Sequence, residues 1–146
     1  MKILERSAGS LTNFEVLDLL RSRGAGKDPS RVLASVSASE FKVFDYLEQT
    51  AACNQTRDII NKYVQECKKF DLAKAEILNA VNLRPSSQLE AFMIIECCDS
   101  RLSEDQIDDF VETTTQILPQ HTSQPESSDG KEESAEAQQQ DETTDT

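Results

Sequence analysis

Residues 72–96 read LAKAEILNAVNLRPSSQLEAFMIIE, and the punctuation of this stretch decides the fold class. Ile77, Leu78 and Val81 recur at helical spacing. The helix they define must stop before Arg84, because a residue preceding proline is pushed out of the helical region. Pro85 then sets a stiff corner. Ser87 and Glu90 stand in capping-box spacing and open a second helix, in which Leu89, Phe92, Met93 and Cys97 are expected to face inward.

The same signals recur on both sides. Ser37 and Glu40 precede FKVFDYLEQTA, where Phe41, Phe44, Leu47 and Ala51 make one face. Thr56 can cap RDIINKYVQECKKF, with Ile60, Tyr63, Val64 and Cys67 at three- and four-residue steps. Ser103 and Gln106 open a last helix that carries Ile107, Phe110, Val111, Thr114 and Leu118 and ends at Pro119. Strand signals are nearly absent, so the expectation is all-α, an orthogonal bundle of about five helices over residues 37–119.

Ahead of the bundle, LTNFEVLDLLRSR is helical, with Thr12 or Asn13 as its cap. The breaker GAGKDPS follows, so residues 24–36 read as a flexible linker and 1–23 as a separate N-terminal element. Phe14, Val16, Leu17, Leu19 and Leu20 spread over more than one helical face. The element is therefore expected to be poorly buried by its own chain and to bind a partner. The alternative is that it folds back on the bundle as a sixth helix.

From Gln120 onward, 27 residues hold eight Asp or Glu, one Lys and no aliphatic or aromatic residue larger than Ala. Such a segment cannot offset the entropy of ordering it, and 120–146 is expected to be a disordered acidic tail. It carries −7 of the net charge of −12; in residues 1–119, fourteen Lys and Arg against nineteen Asp and Glu leave −5. That balance argues against a protein whose affinity rests on neutralising phosphates. Lys62, Lys68, Lys69 and Lys74 form the one local basic cluster, a candidate nucleic-acid contact if they are more than a solvated face.

No apolar run approaches the roughly 20 residues of a membrane span, and no long apolar signal core stands at the start. Cys53, Cys67, Cys97 and Cys98 make no CxxC pair and read as reduced, small apolar residues. His121 has no zinc-like neighbours. Gly24–Lys27 resembles the end of a phosphate loop, but Asp28 follows where Ser or Thr is needed. Glu104, Asp105, Asp108, Asp109 and Glu112 crowd the first turns of a helix, where its dipole favours negative charge, with no nucleophile nearby in sequence. Neither a cofactor nor a metal is expected, nor a catalytic role.

LTNFEVLDLL, LAKAEILNAVNLRP, LEAFMIIE and RLSEDQIDDFVETTTQIL together resemble the family of the RNA polymerase III stalk subunit, also named the calcitonin gene-related peptide receptor component. Lys74, Glu76, Asn82, Arg84, Pro85 and Glu90 fall at that family's spacing, and Arg101, Leu102, Glu104, Gln106 and Ile107 follow in order. The resemblance runs from about Leu11 to Pro119. It implies a helical domain of the type named for helicases and RNase D, in a nuclear, non-catalytic subunit. That subunit pairs with a β-rich second stalk subunit containing an oligonucleotide-binding barrel, attaches to the polymerase III core and supports initiation on small non-coding RNA genes.

Partner contacts are expected at Leu11, Asn13, Phe14, Glu15, Val16, Leu19 and Leu20 in the N-terminal element and at the corner residues Leu83, Arg84 and Pro85. Arg84 is expected to bond helix-end carbonyls or a carboxylate such as Glu90. Other readings are an equivalent subunit of another nuclear polymerase, a stand-alone helical domain binding nucleic acid through the four lysines, and an adaptor coupling a membrane receptor to signalling.

Overall fold

The computed structural model describes residues 7–27 and 35–120. Residues 28–34 of the expected linker and the acidic segment from 121 lie outside the described residues. The described chain is helical, with no strand among the described residues: α1 Asn13–Ser22, α2 Ala38–Leu47, α3 Arg57–Glu66, α4 Lys74–Leu83, α5 Gln88–Ile94, the single turn α6 Cys98–Arg101, and α7 Glu104–Ile117. Short 3-10 turns at Ala51–Asn54 and Cys67–Phe70 tighten the ends after α2 and α3. The five expected core helices are α2, α3, α4, α5 and α7.

Caps start these helices where the sequence places them. Reciprocal boxes join Thr12 to Glu15, Ser37 to Glu40 and Ser103 to Gln106, and Thr56 accepts from the Ile59 amide. At α5 the box is split: Ser87 caps the Glu90 amide, while the Glu90 carboxylate accepts from the Ser86 amide at 2.6 Å. Tyr63, Phe110, Leu17 and Val81 are among the largest fully buried side chains. Phe70 and Phe110 meet edge to face with centroids 5.5 Å apart, and the Tyr63 hydroxyl pairs with that of Thr114 at 2.8 Å.

Two expectations are corrected. The N-terminal helix is not poorly buried: Phe14, Leu17 and Leu20 are inside, and α1 packs on α2 and the Ala51–Asn54 turn. Its apolar residues do cover more than one face, but Phe14, Leu17 and Leu20 repeat at three-residue steps and suffice for a stripe. Arg21 adds an ion pair to Glu48 at 2.6 Å. The breaker after α1 is itself structured. Gly24, at φ +91°, sends its amide to Arg21 and the Ala25 amide reaches Leu20, a Schellman cap that only a residue tolerating positive φ closes easily. Ala25 packs with Leu20 and Phe41. Residues 24–27 thus belong to the fold.

The second correction concerns α5. Leu89, Phe92, Met93 and Cys97 are exposed, whereas Ala91, Ile95 and Cys98 are buried. Large apolar residues occupy both faces of α5, so periodicity alone permits either orientation. Packing against α4 and α7 selects the face whose small Ala91 allows close approach.

One buried carboxylate locks the corners. Glu76 accepts from Arg101 at 2.7 Å and from the amides of Glu96 and Ala73 at 3.0 and 2.7 Å; Arg101 also donates to the carbonyls of Asp71 and Glu96. Asp71 and Cys97, both left-handed at φ 49°, sit at the two corners this pair clamps. The Arg101 guanidinium, helped by the two amides, holds the Glu76 carboxyl below its ordinary 4.5 against the opposing effect of burial. The resulting stabilisation is complete above the ordinary carboxylate value and is lost as pH falls through the depressed one. Glu76→Gln is expected to cost about 2 kcal/mol at pH 7. In urea melts, its difference from the parent should shrink as pH falls below the ordinary carboxylate value; an unchanged midpoint at pH 7 would mean that Glu76 does not clamp the corners.

Candidate partner-docking surface

The corner after α4 organises the surface. Pro85 disfavours the right-handed region for Arg84, and Arg84 adopts φ 52°, ψ 66°, a strained setting for a residue that carries a Cβ. Its guanidinium offsets the strain by capping α7: Nε donates to the Leu118 carbonyl at 2.8 Å and Nη2 to that of Thr115 at 3.4 Å. Of the two expected roles for Arg84, it takes the helix-end carbonyls. Pro85 is fully buried beneath it.

Around this corner lies an open groove of about 860 Å³, bordered by Asn13 of α1, Tyr46 of α2, Asn82 to Arg84, Glu90 of α5 and Gln120. Asn82 Oδ1 accepts the Asn13 amide at 2.9 Å, joining the start of α1 to the end of α4. Asn54 Nδ2 donates to the Gln120 carbonyl at 3.0 Å, so the chain leaves α7 at the same groove. Leu83 and Tyr46 are 67% and 65% exposed on its rim. Apolar rims beside side-chain amides and hydroxyls suit a protein partner, which supplies both surface to bury and groups to bond.

The expected partner residues are sorted by this geometry. Asn13, Leu83 and Arg84 come together at the groove, and Leu11 is exposed just before the α1 cap. Glu15 is held in its box with Thr12, Leu19 points away from the bundle, and Val16 is partly buried. Phe14, Leu20 and Pro85 are core and present no surface in this fold. Tyr46 was missed by sequence reasoning; its signal was an aromatic residue off the Phe41, Phe44, Leu47 stripe of its helix.

Catalytic chemistry has little to work with here. Burial pushes the Cys67 and Cys98 thiols up, away from the thiolate a nucleophile needs. Burial also raises the Tyr63 hydroxyl. Among the described residues, no group of three or more His, Cys, Asp or Glu could hold a metal ion.

Residues 10–118 match the model of the family described as RNA polymerase Rpb4. The chain belongs to the RNA polymerase Rpb4 family. Two curated relatives of this Rpb4-family chain are both called DNA-directed RNA polymerase III subunit rpc9. The one from Dictyostelium discoideum is 34% identical over 115 residues, 70% of this chain and 81% of that protein. The one from Schizosaccharomyces pombe is 30% identical over 129 residues, 82% of this chain and all of that protein. Neither name mentions a receptor.

In this Rpb4-family domain the four lysines lie apart from the groove residues in sequence: Lys62 on α3, Lys68 and Lys69 in the turn after it, and Lys74 opening α4, all exposed. Lys69 lies 4.8 Å from the Phe70 ring centroid and 3.8 Å from an Asp109 oxygen. Such exposed contacts are worth little on their own.

Proposed function

We propose that this chain is a non-catalytic subunit of the stalk of RNA polymerase III, acting in the nucleus in transcription initiation and bound to a β-rich second stalk subunit through the groove beside Arg84. What carries the reading is the match to the Rpb4 family across residues 10–118, together with two relatives that share one polymerase III subunit name. The all-helical fold and the exposed, amide-lined groove support it. An acidic subunit has no need to grip nucleic acid itself when it works within a larger assembly.

Co-expression with the β-rich stalk subunit tests this. Leu83→Asp combined with Tyr46→Asp changes two largely exposed side chains, so the helical circular dichroism of the free chain should be unchanged. Co-purification should fall at least about tenfold, because charges replace the two large exposed side chains on the groove's rim. An undiminished complex would remove the groove from the interface, and no complex with the parent chain would remove the stalk reading itself.

A further inference from the structure

We infer that the outward face of α5 is a second docking site, occupied by a cationic amphipathic helix of a partner protein. Leu89, Phe92 and Met93 form an i, i+3, i+4 ridge on α5, with Leu89 71% and Met93 75% exposed, and none of the three borders the groove beside Arg84. Of the eight large apolar side chains exposed among the described residues, these three fall within five positions on one helix. Apolar side chains scattered singly on a surface need no explanation; a contiguous ridge does.

The shape of the face selects a helix. α4 and α5 run antiparallel, since they meet at the Arg84 corner while the Glu96 amide, just past the far end of α5, bonds Glu76 in the first turn of α4. The grooves between such ridges accept the ridges of a third helix at ordinary packing angles.

Charge then selects which helix. From Lys74 to Leu118 the chain carries nine Asp and Glu against three bases, Lys74, Arg84 and Arg101, of which Arg84 caps α7 and Arg101 is paired with Glu76. Glu96 is exposed two residues past the end of α5, and Asp108 of α7 is bonded to Gln88 at the start of α5, which brings the acidic first turns of α7 to that end of the helix. Nucleic acid and anionic membrane are repelled by such a rim. A second copy of this chain is disfavoured too, because a two-fold contact would set the same carboxylates against each other. An apolar stripe flanked by Lys and Arg satisfies both features. The inference stands whichever polymerase the chain serves.

The sequence provides a reporter, since Met93 is one of only two methionines, the other being Met1. Full-length chain labelled with carbon-13 at the methionine methyls would be titrated with a synthetic amphipathic helix bearing Leu on one face and Lys on the other. A second titration would use the same helix with Glu in place of Lys. The Met93 methyl should shift saturably with the Lys helix and stay in place with the Glu helix. Leu89→Ser should weaken binding by about tenfold, and changing Glu104, Asp105 and Asp108 to their amides should weaken it and flatten its salt dependence. Equal response to both helices, or no effect of Leu89→Ser, would overturn the inference. So would a Met93 shift produced by raising the chain's own concentration, by anionic vesicles, or by the β-rich stalk subunit displacing the helix, each of which names a different occupant.

Discussion

Replacing Phe110 by Ala is expected to lower the unfolding free energy by about 4 kcal/mol, the largest effect of any single truncation considered for this domain. The ring is fully buried and holds Phe70 edge to face at 5.5 Å, so its loss leaves both a cavity and an orphaned aromatic neighbour; the pair alone adds about 1 kcal/mol beyond area. The neighbouring Tyr63 and Thr114 hydroxyls are already bonded to each other, and bonded groups are slow to move into a void. For a domain of this size the midpoint of thermal unfolding should drop by roughly 20 °C. A loss below about 1 kcal/mol in chemical denaturation would mean that the site collapses around the missing ring.

Leu17→Ala should cost about 3 kcal/mol in the free chain. Leu17 is fully buried between α1 and the bundle, so the cost measures directly whether the N-terminal helix is part of the domain. Denaturant melts give the magnitude, and amide exchange in α1 gives the location. If α1 were an arm awaiting a partner, the substitution would leave the free chain's stability unchanged and the α1 amides would exchange as fast in the parent as in the variant. Protection of α1 in the parent, lost selectively in the variant, is the expected result.

Features set by near neighbours in the chain were legible in the sequence. The boxes at Ser37 and Ser103, the Thr56 cap and the break enforced by Pro85 each depend on residues within four positions, and all are present. What escaped depends on distant residues. Which side of α5 turns inward is decided by α4 and α7, since both of its sides are apolar. The Glu76–Arg101 clamp spans 25 positions, and no local pattern marks a Glu as buried. The burial of α1 rests on partners across a stretch that reads as a linker. At the groove, Leu83 and Arg84 were legible from the corner, whereas Tyr46 enters only because α2 ends opposite it.

The bond from the Asn13 amide to Asn82 also bears on the order in which the domain is assembled. It closes 69 positions of chain, whereas contacts between neighbours in a helical protein form early. During synthesis α1 emerges first, yet its leading amide has no partner until α4 follows, on the order of several seconds later at ordinary elongation rates. Throughout that interval the stripe of Phe14, Leu17 and Leu20 can form only part of its eventual packing. The helix that ends as core is, for those seconds, only partly covered by its own chain.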